Sequence, residues 1–263
     1  VAYALVAGSP GDTGAHVLVD SGSAGTILGV NSTVGDTVVA MIMVAHQTAN
    51  LISGISSTIG TFVKLGSVIG TPGYNWEIWI CWSATGAAET VTVTTTGSYG
   101  WYAQGTEWSG NPTSAVFSTA SGTSTAPAIT LSPGTSGNIA IAAAMVPGSF
   151  SSGPGGAWTD YNAGVFVLGN GQDVAWQVTS SSSNVTATWA CTSQAWVCVG
   201  VVLGSSATQI TAALTPSASV AATNAKSVAL TGNLTCQRVA PWRKRRNGLS
   251  IPDLVIPRLR IAI

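Results

Sequence analysis

The stretch Asn184–Leu203, NVTATWACTSQAWVCVGVVL, decides how this chain is read. Val185, Ala187 and Trp189 alternate with Thr186, Thr188 and Ala190, the pattern of a half-buried strand. Trp196–Leu203 is almost wholly apolar, the pattern of a strand covered on both faces. Thr192-Ser193-Gln194 reads as a turn between them. The stretch has an echo earlier in the chain. Val91-Thr92-Val93-Thr94 matches Val185-Thr186-Ala187-Thr188, and Trp101-Tyr102-Ala103-Gln104-Gly105 matches Trp196-Val197-Cys198-Val199-Gly200 after a one-residue gap.

The same doubling appears upstream of each copy. GDTVVAMIM begins at Gly35 and GNIAIAAAM at Gly137, each a turn followed by a buried strand. Trp76, Ile78, Ile80 and Trp82 fall on one face of a further strand, with Glu77, Trp79 and Cys81 on the other. Glu89–Thr96, ETVTVTTT, is a β-forming run, and Gly97 and Gly100 are expected to turn the chain into Trp101–Trp108. Val165–Trp176 reads as a hairpin whose two-residue turn is Asn170-Gly171. The Ser-, Thr-, Gly- and Pro-rich residues Gly110–Pro133 read as a long loop with one short strand.

About ten strands, two like halves and no helical periodicity predict an all-β fold. The expected architecture is a jelly-roll-like antiparallel β-sandwich of two Greek keys. An immunoglobulin-like pair fits less well, because no Cys-Trp-Cys spacing is present. The expected organisation is an N-terminal arm with edge strands over residues 1–34, the sandwich over 35–206, and an extended C-terminal arm over 207–263. The last part has no room for a core of its own and needs a partner.

Charged residues make up only 7% of the chain, against a usual share of ~25%. With a mean hydropathy of +0.39, ten Trp and many β-branched residues, the composition argues against a disordered chain. The longest apolar run, Val38–Ala45, is far short of the ~20 residues of a membrane helix. The first residues show no basic stretch of a secretory signal, so release within an assembled particle is the expected route.

The formal net charge of zero hides a division. Asp12, Asp20, Asp36, Glu77, Glu89, Glu107, Asp160 and Asp173 face the single base Lys64 up to residue 210, which gives −7. Beyond it, Lys226, Arg238, Arg243, Lys244, Arg245, Arg246, Arg258 and Arg260 outnumber Asp253, which gives +7. Arg243-Lys244-Arg245-Arg246, with Arg258 and Arg260, is read as an assembly arm that meets acidic neighbours rather than nucleic acid. Leu249–Ile263, with β-branched residues between Pro252 and Pro257, has the pattern of a strand that adds to a neighbour's sheet edge.

No nucleophile elbow, phosphate loop, dinucleotide fingerprint or zinc-protease motif is present, so the chain is read as a non-enzyme without cofactors. Cys81, Cys191, Cys198 and Cys236 lack metal-ligand spacing and read as buried free thiols. Asp36 and Asp173 read as turn residues that bond the backbone. Aromatic loops are the candidate binding features. Tyr74, Trp101, Tyr102, Trp158 and Tyr161 follow or surround Gly-rich turns, and flat rings of this kind stack on sugar rings.

The order GDTVVAMIMVAH, WEIWICWSA, ETVTVTTTGSYGWYAQGTEWSG, NIAIAAAMV and QAWVCVGVVLG resembles the jelly-roll domains of virion proteins from tailed bacteriophages. The ALTPSASVAAT…VALTGNLT stretch is similar to C-terminal regions of minor tail proteins in phages of actinobacteria, mycobacteriophages especially. The resemblance covers roughly residues 35–235, rests on pattern rather than a catalytic signature, and supplies no binding residues. It implies a structural protein of the virion, in the tail, with other virion subunits as partners and possible contact with host cell-wall glycan. A capsid decoration protein and a carbohydrate-binding adhesin are the alternatives. The final basic segment departs from the repeat region of that family.

Overall fold

Thr37–Val44 and Ile139–Val146 are the two strands around which the molecule is laid out, and both are buried along their whole length. The computed structural model describes residues 3–7, 16–70, 73–160, 165–167 and 170–204, all within one compact unit, Val1–Ser206. Among the described residues every regular element is a strand and every pairing is antiparallel. The expected arm over 207–263 lies outside them.

The first half holds β1 (Ala4–Leu5), β2 (His16–Ser32), β3 (Thr37–Val44), β4 (Ile52–Ser57), β5 (Phe62–Gly70), β6 (Tyr74–Cys81) and β7 (Ala87–Ser109). They form one sheet in the order β1-β7-β3-β6-β5, with β2 and β4 also bonded to β7. The second half holds β8 (Ser114–Ser124), β9 (Ala128–Leu131), β10 (Ile139–Val146), β11 (Phe150–Ser152) and β12 (Thr159–Asp160). It continues with β13 (Val165–Val167), β14 (Asn170–Val178), β15 (Val185–Thr188), β16 (Ala190–Cys191) and β17 (Gln194–Gly204). Its main sheet runs β12-β14-β10-β17-β8, with β13 on β14, and two ribbons, β9–β15 and β11–β16, stand apart from it.

The two sheets pack face to face as a β-sandwich, and each half keeps to its own sheet. Val39, Met41 and Met43 of β3 point into the shared core with Trp76, Ile78 and Ile80. They meet Ile139, Ile141, Ala143 and Met145 of β10 and Val197, Val199, Val201 and Leu203 of β17. Each wholly buried side chain of this size contributes about 1.5–3 kcal/mol.

The opposite faces are buried as well, which is why β3 and β10 read as unbroken apolar runs. Val38, Ala40, Ile42 and Val44 face an outer cluster with Ile27, Ile52, Val91, Val93 and Trp101. Ala140, Ala142, Ala144 and Val146 face another, with Ile129, Leu131, Phe150, Ala187 and Trp189.

Residue-for-residue alignment of Thr37–Val44 on Ile139–Val146 makes the duplication explicit. Gly35 and Gly137 precede the two strands with φ of 89° and 84°, a region that glycine alone enters without cost. Val39 pairs with Thr106, and Ile141 with Val201, so Trp101 corresponds to Trp196, as the sequence echo predicts. The likeness stops at strand breaks. In the first half β2 and β7 run unbroken from inner sheet to outer layer, bending at bulges between Val19 and Ala24. In the second half Pro127, which has no N–H to give, separates β8 from β9.

Four expectations change. Gly97 and Gly100 do not turn the chain but lie within the 23-residue β7, because β2 accompanies its bend. Ser114–Ser124 is a full strand, not loop: its main chain bonds β17 from Gly204 back to Gln194, and its Ser and Thr side chains face outward or lie half-buried. The Asn184–Leu203 pieces do not pair with each other; β15 joins β9, β16 joins β11 and β17 joins β10 and β8. Asn170 and Gly171 belong to β14, since Val167 pairs with Asn170 and Phe166 with Gly171. A Cβ at Gly171 would stand 2.5 Å from the Gly148 carbonyl oxygen, so the glycine serves close packing rather than a turn.

Candidate functional site

The five aromatic residues proposed for glycan contact do not form one platform. Trp101 and Tyr102 are wholly buried, so a sugar cannot reach them. This corrects the sequence reading, and the cause is β7, which carries both into cores on opposite faces of the sheet. Trp101 joins the outer cluster, where its ring lies against Gly25. Tyr102 faces the shared core, donates its hydroxyl to Gln104 Oε1 at 2.6 Å and meets Trp76 edge-on. Tyr74 is half-buried against the shared core, whereas Trp158 is half-buried against the second outer cluster and donates its Nε1–H to the Thr186 carbonyl at 3.0 Å. Tyr161 and the cluster Arg243, Lys244, Arg245, Arg246, Arg258 and Arg260 lie outside the described residues.

What the structure does bring together is carboxylates. Asp36, Glu77, Glu107 and Asp173 are buried and Asp160 is half-buried. The side chains of Asp12, Asp20 and Glu89 lie outside the description. Counting acids therefore overstates the surface charge of this part of the chain.

Glu77 on β6 accepts from Lys64 Nζ and from Trp79 Nε1, both at 3.0 Å, with a longer contact from Asn75 Nδ2 at 3.4 Å. Lys64 on β5 completes its own shell at Asn50 Oδ1, 2.6 Å away. A buried charge is tolerable when it is paired and hydrogen-bonded, as here.

Asp36 and Glu107 form the second pair, where β3 begins beside β7. Burial raises the Glu107 carboxyl to about 7; the Thr33 N–H, bonded to Oε1 at 2.9 Å, opposes this, and the Asp36 charge adds to it. Burial also raises Asp36, while the hydrogen bond from Glu107 pulls it down. Glu107 is thus the proton holder and Asp36 the acceptor.

Asp173 lies inside β14, not at a turn, and pairs with Asp160 on β12. The Asp173 carboxyl is pushed up to about 9, chiefly by burial and then by the hydrogen bond and charge of Asp160, against the N–H groups of Trp189 and Val174, which pull the other way. Trp189 Nε1 donates to Asp173 Oδ2 at 2.6 Å. Gly153 closes over the pair: a Cβ there would collide with Asp160 Oδ2 and stand 3.3 Å from Asp173 Oδ2.

The buried pairs were missed because a lone acid in a polar-looking strand gives no local sign of its partner. The alternation did place Glu77 on the face opposite Trp76, Ile78 and Ile80, but gave no sign that an outer layer with Trp79 and Cys81 buries that face too. Cys81, Cys191 and Cys198 are buried free thiols as expected; burial and the nearby Cys191 push the Cys198 thiol up. Comparison with protein-family models, curated proteins and solved structures gives no match to this chain.

Proposed function

We propose that this chain is a structural component of a bacteriophage virion, a minor tail protein, whose subunits join by strand addition at open sheet edges. One observation supports the assembly part. Among the described residues β5 and β8 end their sheets, and they carry Val63, Ile69 and Val116 outward with 44%, 46% and 57% of their surface exposed. An edge of this kind offers unpaired N–H and C=O groups to another strand, and its apolar side chains reward the contact.

The occupant we assign is Leu249–Ile263 of a neighbouring subunit, whose sequence has the strand pattern. Strand addition is favoured over simple ion pairing because so many of the body's acids are buried. The virion assignment rests on the sequence resemblance over roughly residues 35–235. A capsid decoration protein would use the same edges.

A chain lacking residues 211–263 and a V63K/V116K double variant are each expected to fold but not to enter particles. Normal incorporation of both defeats the assembly reading. Immunogold labelling of intact particles separates tail from capsid, and labelling of neither removes the virion assignment.

A further inference from the structure

Lys64 stands between a carboxylate and a carboxamide. Its Nζ lies 3.0 Å from Glu77 Oε2 and donates to Asn50 Oδ1 at 2.6 Å. The three residues come from different places in the first half. Asn50 lies in the connection between β3 and β4, Lys64 on β5 at the sheet edge, and Glu77 on β6. Glu77 is wholly buried, whereas 23% of the Lys64 side chain is exposed.

The arrangement is held from several sides. Trp79 Nε1 donates to Glu77 Oε2 at 3.0 Å and fixes the carboxylate. Asn75 Nδ2 donates to the Thr48 carbonyl at 3.2 Å, and the Thr96 N–H donates to the Leu51 carbonyl at 2.8 Å. The chain is therefore tied down on either side of Asn50. The Asn50 backbone is left-handed, with φ of 58°, a region that asparagine enters more readily than most residues bearing a side chain. An ion pair alone needs no carboxamide on the far side of the ammonium.

We propose that Lys64 and Asn50 join covalently after folding, in an amide between Nζ and Cγ, with Glu77 as the base. Freshly folded protein holds the ion pair, and the amide accumulates from it. A lysine amine is a nucleophile once it has given up a proton, and Glu77 Oε2 is within reach to take it. The nitrogen lone pair attacks Asn50 Cγ, which is bonded to the Oδ1 that Nζ already touches, and the C=O π pair moves onto Oδ1. When that pair returns, the Cγ–Nδ2 bond breaks and Nδ2 leaves as ammonia. The Lys64 nitrogen loses two protons in all: one departs with the ammonia and the other stays on Glu77. The reaction thus needs no co-reactant and leaves Glu77 neutral where it is buried. Holding reacting groups in contact is worth effective concentrations of about 10⁵–10⁸ M in well-oriented cases. Among the described residues β5 pairs with β6 alone, so the amide staples this edge strand to the β3–β4 connection.

Lys64 is the only tryptic site before Lys226, which makes the bond simple to read. The full chain, kept folded at neutral pH for several days and then denatured, should weigh about 17 Da less than its sequence, the mass of ammonia. Trypsin should no longer cut it after Lys64. Lys64→Arg keeps the cation without the amine, and Asn50→Gly removes the carboxamide while suiting the left-handed backbone. Both should keep their full mass. Glu77→Gln should slow formation of the bond about a hundredfold or more, and an unchanged rate overturns the role of Glu77 as base. Full mass in the wild type overturns the proposal, as does loss of ammonia that persists in Lys64→Arg or Asn50→Gly. Loss of ammonia with normal cleavage after Lys64 overturns it too, because an asparagine has then closed on its own backbone.

Discussion

The indole N–H of Trp189 donates to Asp173 Oδ2 at 2.6 Å, and the bond ties the outer ribbon to the middle of the inner sheet. Trp189 is itself wholly enclosed beside Phe150. Trp189→Phe keeps most of the ring volume and deletes the donor. It should cost about 1–3 kcal/mol, read from urea unfolding, because it leaves a buried acceptor without its partner.

Lys64→Met removes the cation from Glu77 and leaves a buried carboxylate uncompensated. A loss of about 3–5 kcal/mol is expected for breaking such a pair from one side. The double change Lys64→Met with Glu77→Gln should recover a large part of it. A double-mutant cycle in chemical denaturation gives both values, and additivity of the two changes would contradict the pairing.

Glu107 supplies a pH dependence of stability. Its carboxyl is raised from 4.5 to about 7, so the folded protein holds a proton that the unfolded chain has released. The contribution is full below 4.5 and is lost as pH rises to about 7. Glu107→Gln should flatten this part of the thermal-stability profile and leave the variant the more stable form at about pH 8 relative to its own acid value.

Gly70 lies where β5 crosses the second sheet, and a Cβ there would stand 2.5 Å from Val197 Cβ. Val197 is β-branched and buried in the shared core, so it has little room to yield. Gly70→Ala should destabilise by about 1–3 kcal/mol, measured as a lowered denaturant midpoint with unchanged slope.

Parts of this structure are legible in the sequence because their cause is local. Alternation and unbroken apolar runs located β3, β6 and β10, and the repeated residues gave the register equivalence of Trp101 and Trp196 before any pairing was seen. The failures have non-local causes. Ser114–Ser124 looks like loop because its strand character comes from β17, a partner far along the chain. Trp101 and Tyr102 looked like loop aromatics because nothing nearby shows that Gly97 and Gly100 sit inside a bending strand. The opposition of Asp160 and Asp173 is set by β12 meeting β14, and the acids themselves carry no mark of it.

The unbroken run of β7 from Ala87 to Ser109 has a consequence for the order in which the molecule comes apart. It hydrogen-bonds β1, β2, β3 and β4, so inner sheet and outer layer of the first half share one backbone ladder. That half should open in a single cooperative event. The second half, interrupted at Pro127 and Trp189, divides the same layers among separate short ladders. Its ribbons should form a distinct foldon that opens first under mild denaturant, seen as earlier amide exchange in β9, β11, β15 and β16 than in β10, β14 and β17. Two like sequences, joined in one chain, thus unfold by different routes.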